Sequence, residues 1–200
     1  MEIDAENARI REQLRDFENV YYDELISRVT LANAATIKKV EVCSKAVDTE
    51  HYTDSSFSED RKLPDGEKFL VKEIMCRCPQ QLPAADVATI FDSASHLVVS
   101  EQAGSAIKRN FSLRSLGGGG GVQGTLLQAV AADETIVNHG TPNRGSGLLL
   151  PPGDFIEWIG GTKFDCNIVS GAAISPAADR IIEFVFRGWH GKSASVSTKG

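Results

Sequence analysis

The stretch Ile181-Ile182-Glu183-Phe184-Val185-Phe186-Arg187-Gly188-Trp189 constrains the fold of this chain more than any other. Side chains alternate across an extended backbone, so Ile182, Phe184 and Phe186 share one side and Glu183, Val185 and Arg187 the other. Strict alternation over this length is the signature of a strand with one buried face. With two Phe turned to a core, it reads as an interior strand, and the rest of the chain must pair around it. It stands almost at the end of the sequence, so that pairing joins distant segments.

The residues ahead of it supply the partners. Thr36 to Val42 is β-branched with partial alternation. Lys68 to Cys78 reads as a long strand that stops at Pro79. His96 to Gln102 and Ala106 to Leu113 flank the turn Ala103-Gly104-Ser105 and read as a hairpin. Asp154 to Ile159 alternates, and Lys163 to Ser170 gives another strand, with Gly171 to Ala178 as a turn region. Pro83 to Ser95 is a crossing segment with a short helix from Ala84 to Phe91. Seven or eight short strands with turn signals between them predict an antiparallel sandwich, and their long connections favour a jelly roll.

A helix is expected in front, over residues 4 to about 29. Asp4 is placed as N-cap, and Ile3, Ile10, Leu14, Phe17, Tyr21 and Leu25 form an apolar stripe at spacings of mostly 3, 4 and 7. Its polar face mixes Glu and Asp with Arg, unlike the basic face of a membrane-surface helix. Two placements fit: packed on its own sheet, or docked as an arm on a neighbouring subunit. The expected organisation is a mostly β protein: a single jelly-roll antiparallel β-sandwich over residues 67–190 with an N-terminal α-helical arm. The arm and a linker strand occupy 1–47, a polar loop 48–66, and an exposed polar tail 191–200.

Composition bounds the function. A net charge of −6 argues against a nucleic-acid coat or a polybasic membrane binder. No apolar run approaches the roughly 20 residues that span a bilayer, and the charged first turns do not read as a signal peptide. Cys43, Cys76, Cys78 and Cys166 lack the spacing of a zinc site, and read as buried reduced thiols, with Cys76 and Cys78 on one face of a strand.

Tests for catalytic motifs come out negative. Gly119, Gly121 and Gly124 spell G-x-G-x-x-G, but only inside a run of five glycines, with no acidic residue about twenty positions on and no βαβ units after it. A P-loop lacks its Lys-Ser or Lys-Thr. His51, His96, His139 and His190 form no paired motif of the cupin type. Gly145-Ser146-Gly147 has Asn143 where a nucleophile elbow needs Gly. Glu157 and Asp165 read as solvated strand ends more than as a glycosidase pair. Trp158 and Trp189 read as core or interface anchors more than as sugar platforms. Neither enzyme activity nor a cofactor is expected.

Four motifs carry a resemblance: Leu63-Pro64 followed by Phe69-Leu70-Val71, a hairpin ending in Leu116 and Gly117 to Gly121, Leu150-Pro151-Pro152-Gly153-Asp154-Phe155, and the final Glu183 to Trp189. Over residues 62 to 190 they resemble jelly-roll virion proteins of bacteriophages, as in the capsid proteins of tailless icosahedral phages such as corticoviruses. The resemblance implies a shell, vertex or cement subunit, made in the host cytoplasm and located in the virion. Its partners are then itself and other virion proteins, with no small-molecule substrate and no sequence-specific nucleic-acid binding. The expected subunit interface comprises Ile10, Leu14, Phe17, Tyr21, Gly119, Gly121 and Trp189, and Asp at positions 14 and 17 is expected to abolish assembly while the body stays folded. The alternative is a carbohydrate- or receptor-binding sandwich of a phage fibre, and after it a cupin-like enzyme.

Overall fold

The computed structural model of the 200-residue chain describes residues 2–33, 36–45, 55–78, 82–83, 86, 89–91, 95–116, 135–136 and 147–193. The fold is mostly β, with two antiparallel sheets and a short N-terminal α-helix among the described residues. The helix α1 (Glu2–Gln13) is followed by β1 (Asn19–Leu31), β2 (Ile37–Glu41), β3 (Glu67–Arg77), β4 (Leu82–Pro83), β5 (Ser95–Val99) and β6 (Arg109–Ser112). A 3₁₀ turn at Leu113–Leu116 precedes β7 (Thr135–Ile136), β8 (Leu148–Leu149), β9 (Ile156–Ile159), β10 (Cys166–Ile174) and β11 (Arg180–Lys192).

The first sheet runs β1-β11-β3, with β8 and β9 both on the far edge of β3. The second runs β2-β10-β5-β6, and β4 pairs with β7. The pairs are nested: β1 with β11, β2 with β10, β3 with β8 and β9, β5 with β6. One core cluster draws on both sheets, with Phe69, Ile74, Phe184 and Phe186 from the first and Leu97, Val99, Cys166 and Ile168 from the second. Trp158 lies in it, stacked on Phe164 with ring centroids 4.1 Å apart.

The interior strand is β11, as its alternation predicts, but both of its faces are buried. On the outer face the charged residues stand in rungs across three strands. Arg187 meets Glu24 of β1 at 2.6 Å and Glu73 of β3 at 3.8 Å. Four residues along, Glu183 is held between Arg28 at 2.7 Å and Arg77. Between the rungs lies an apolar row of Ile26, Val185 and Met75. A β-bulge at Arg187/Gly188 displaces the ladder, and Gly188 sits so close to β3 that a Cβ there would lie 1.9 Å from the Leu70 carbonyl oxygen.

Several expectations are corrected. The helix ends at Gln13 rather than near residue 29, and it begins at Glu2, which puts Asp4 inside its first turn rather than at a cap. Residues 19–31 are a strand. The spacing of four from Phe17 to Tyr21 to Leu25 is a multiple of both periods in play, near 3.6 and equal to 2, and so could not separate helix from strand. The deciding signal is the run Tyr21, Asp23, Leu25, Ser27, Val29, Leu31, which shares the inner face against β11, in a strand whose other face carries Val20, Tyr22, Ile26 and Thr30. The sandwich therefore begins at residue 19, not 67, and β2 within the expected linker belongs to the second sheet. The strand β11 also runs on to Lys192, through the start of the expected tail. Of the expected helix 84–91, residues 84, 85, 87 and 88 lie outside the described residues, and Asp86, Thr89 and Ile90 are helical; the glycine run 117–121 lies wholly outside them.

Candidate functional site

Three consecutive residues of β11 gather the chemistry that this chain displays. His190 points inward, Trp189 outward, and Gly191 lies under the helix. The register explains the inward cluster. His190 is opposite Tyr21 of β1 and Phe69 of β3, which brings Asp23 and Glu67, each two residues further along its strand, to the two sides of the ring. Nδ1 of His190 is 2.8 Å from Oδ2 of Asp23, and Nε2 is 3.0 Å from Oε2 of Glu67. The imidazole side chain is only 3% exposed. Nζ of Lys192 is 3.3 Å from the other oxygen of Glu67.

Ionised carboxylates accept hydrogen bonds and cannot donate them, so two of them on one imidazole require both ring nitrogens to carry protons. Burial on its own would lower the His190 pKa, but the bonds to Asp23 and Glu67 outweigh it and hold it above the ordinary value. Burial would raise Asp23 and Glu67, and their bonds to His190 bring both below the usual carboxylate range. Lys192 is raised, with burial opposing the gain from Tyr21 and Glu67. The result is an imidazolium clamp that ties β1, β11 and β3 together. With neither nitrogen bearing a lone pair, His190 in this state is neither a general base nor a metal ligand. Among the described residues, no group of three or more His, Cys, Asp and Glu is placed to hold a metal ion.

The outward side carries the helix. Ile10 and Leu14 pack on Leu70 and Phe155, with Phe17 and Trp189 at the margin of the cluster. Nothing larger than hydrogen fits at Gly191, where a Cβ would lie 2.8 Å from the Phe17 ring. Lys72, at the bulge of β3, anchors the first half of the helix through Glu6 at 3.1 Å. Lys68 holds its end through Gln13 at 2.8 Å. Between the helix and the β11-β1 side of the sheet runs a groove of about 510 Å³, lined by Ile10, Leu14, Phe17, Val20 and Trp189 and edged by Asn7, Arg11 and Arg15. Trp189 is set edge-on against Tyr22, with ring centroids 5.5 Å apart.

No known protein family, curated protein or solved structure matches this chain. The site therefore rests on its own geometry.

That geometry redistributes the expected interface residues. Ile10 and Leu14 are 6% and 2% exposed against their own sheet, so they serve the intramolecular layer and not a free arm. An Asp at position 14 therefore disturbs this chain's own packing, contrary to the expected effect on assembly alone. Phe17 is half-buried beside them and Trp189 faces the groove, whereas Tyr21 turns to the opposite side, at His190. Gly119 and Gly121 lie outside the described residues. Sequence reasoning passed over His190 because it forms no paired motif with the other histidines, although continuing the period of two from Phe184 and Phe186 reaches it as an inward-facing residue.

The other candidates have structural partners. Glu157 pairs with Lys68 at 2.6 Å, and Asp165 lies within 4.0 Å of Arg61. All four cysteines are free and buried. Burial pushes the Cys78 thiol up to about 12, and raises Cys43 and Cys76 well above the ordinary value. A second cavity of about 270 Å³ lies by the β5-β6 turn, lined by Ser100, Glu101, Gln102, Ser105 and Arg109. The Arg109 guanidinium is committed there to Asp154, with contacts of 2.6 and 2.8 Å.

Proposed function

We propose that this chain is a jelly-roll structural subunit of a bacteriophage particle that works by self-association. The nested strand pairs support the jelly-roll reading, because a long antiparallel ribbon rolled up on itself pairs its first strand with its last and its middle strands with each other. Jelly rolls serve as capsid, lectin and cupin domains alike, so the fold does not choose among them.

The observation that carries the assembly reading is that three of the six exposed large apolar side chains among the described residues share one face, while Ile107, Tyr21 and Val169 lie elsewhere. Val20, Leu149 and Ile159 are 41%, 59% and 51% exposed, and all three project from the outer face of the first sheet, the face that bears α1. Apolar groups gathered around a packed helix on one face suit a protein contact. Light scattering behind a sizing column tests the reading: a discrete oligomer or particle is expected, and a monomer at all concentrations overturns it.

The cavity by the β5-β6 turn, which sets Val99, Ile107 and Ile156 beside Ser100, Glu101 and Gln102, favours a second reading, a carbohydrate- or receptor-binding module. In that case sugars of matching size raise the melting temperature progressively with concentration.

A further inference from the structure

The outer face of the first sheet has two unlike halves, one on each side of α1. Towards β1 lies the groove, whose lining holds Arg11 and Arg15 and no acidic side chain. It is a local positive, apolar site on a chain of net charge −6. Among the described residues Arg15 meets Asp16, at 3.6 Å, with both side chains more than two-thirds in solvent. Towards β9 lies the opposite kind of surface. Ile159 stands out from the end of β9, and the adjoining turn presents Asp65, which lies 4.0 Å from Lys62 but keeps its side chain 86% exposed. The two turns touch, since a Cβ on Gly161 would lie 2.6 Å from the Asp65 carboxylate. The position of Ile159 is tied to the helix through Lys68, which pairs with it across the ladder and bonds Gln13.

We propose that these halves are the two sides of one isologous contact between copies of this chain. Ile159 of a second copy enters the groove against Val20, Phe17 and Trp189, and Asp65 of that copy faces Arg11 and Arg15. A two-fold axis through the region of α1 makes the same pairing twice, as a closed symmetric dimer requires. The chemistry is complementary on both counts: an exposed aliphatic side chain meets an apolar groove, and an exposed carboxylate meets two exposed guanidinium groups. This inference names the contact for the assembly reading and rests on it.

A charge swap tests it. Arg15→Asp and Asp65→Arg both alter exposed positions, and circular dichroism reports whether each variant stays folded. Sedimentation of the full chain is expected to show a wild-type dimer, each single variant weakened by about tenfold or more, and the combined variant restored to near wild type. An oligomer whose affinity ignores both single variants overturns this contact and leaves the assembly reading standing. Weakening without restoration in the combined variant overturns the pairing of the two residues. A wild-type monomer at about 0.1 mM, where contacts of ordinary affinity would be populated, overturns contact and assembly reading together.

Discussion

The two faces of β11 are equally buried and are built in opposite ways. On the inner face, Ile182, Phe184 and Phe186 pack into the two-sheet core with no exposed surface. On the outer face, Glu183 and Arg187 are 1% and 9% exposed, yet each is flanked by two opposite charges on neighbouring strands. Apolar packing is tolerant of direction and intolerant of lost volume. Charge rungs are the reverse: they set which residue lies opposite which, because a slip of one residue would turn the charges to the other face and a slip of two would place Glu183 in the row of Ile26 and Met75. The difference suggests a division of labour, with the inner face supplying most of the stability and the outer face the register.

Substitutions on each face break that comparison in different ways. The largest loss is expected from Phe186→Ala, about 4 kcal/mol from transfer and cavity formation in the core, read by urea unfolding. Next, Glu183→Ala removes the buried carboxylate that joins Arg28 and Arg77, whose side chains are 35% and 30% exposed, and costs about 2 kcal/mol. Replacing Arg28, Glu183 and Arg77 together with Leu recovers most of that loss, because no orphaned charge remains. If the triple variant is as unstable as the single one, the rung contributes stability outright and the division of labour fails.

The clamp at the end of the strand brings charge to the inner face, and pH sharpens the contrast. His190 has a raised pKa, so its contribution is complete below the ordinary histidine value near 6.5 and fades as pH rises through the folded value. Asp23 and Glu67 have lowered pKa values, so theirs is complete above about 4.5 and fades as pH falls through the folded ones. Thermal unfolding across pH is therefore expected to show a plateau in the mildly acidic range, with stability falling on the alkaline side. His190→Gln lowers the plateau and removes that alkaline fall; a variant that keeps the fall assigns it to another group. The smallest effect is expected from Gly191→Ala, about 1 kcal/mol from overpacking against Phe17. Its signature is faster proteolysis within α1 while the sheets stay protected.

The sequence makes the interior strand, the long β3 and the β5-β6 hairpin legible because each repeats a single period without competition. Residues 19–31 were obscured because Tyr21 and Leu25 satisfy helical spacing as well as alternation, and only their distant partner β11 decides between them. The outer rungs were hidden for a related reason. Alternating Glu and Arg read as solvated until the charges on β1 and β3 that complete each rung are known. His190 belongs to the same strand period as Phe186, but the polar residues after it suggested a tail.

The nested pairing also sets the order of events on the ribosome. The salt bridge between Arg28 and Glu183 joins residues 155 positions apart, and Asp23 meets His190 across 167. Contacts so remote in sequence are slow to form. β1 has its partner in β11, so it waits with an unpaired edge until that distant segment has been synthesised. During that wait the chain is vulnerable to pairing with another nascent copy. A stop codon a few residues before position 180 would then yield not a slightly shortened protein but one whose first sheet has lost its centre.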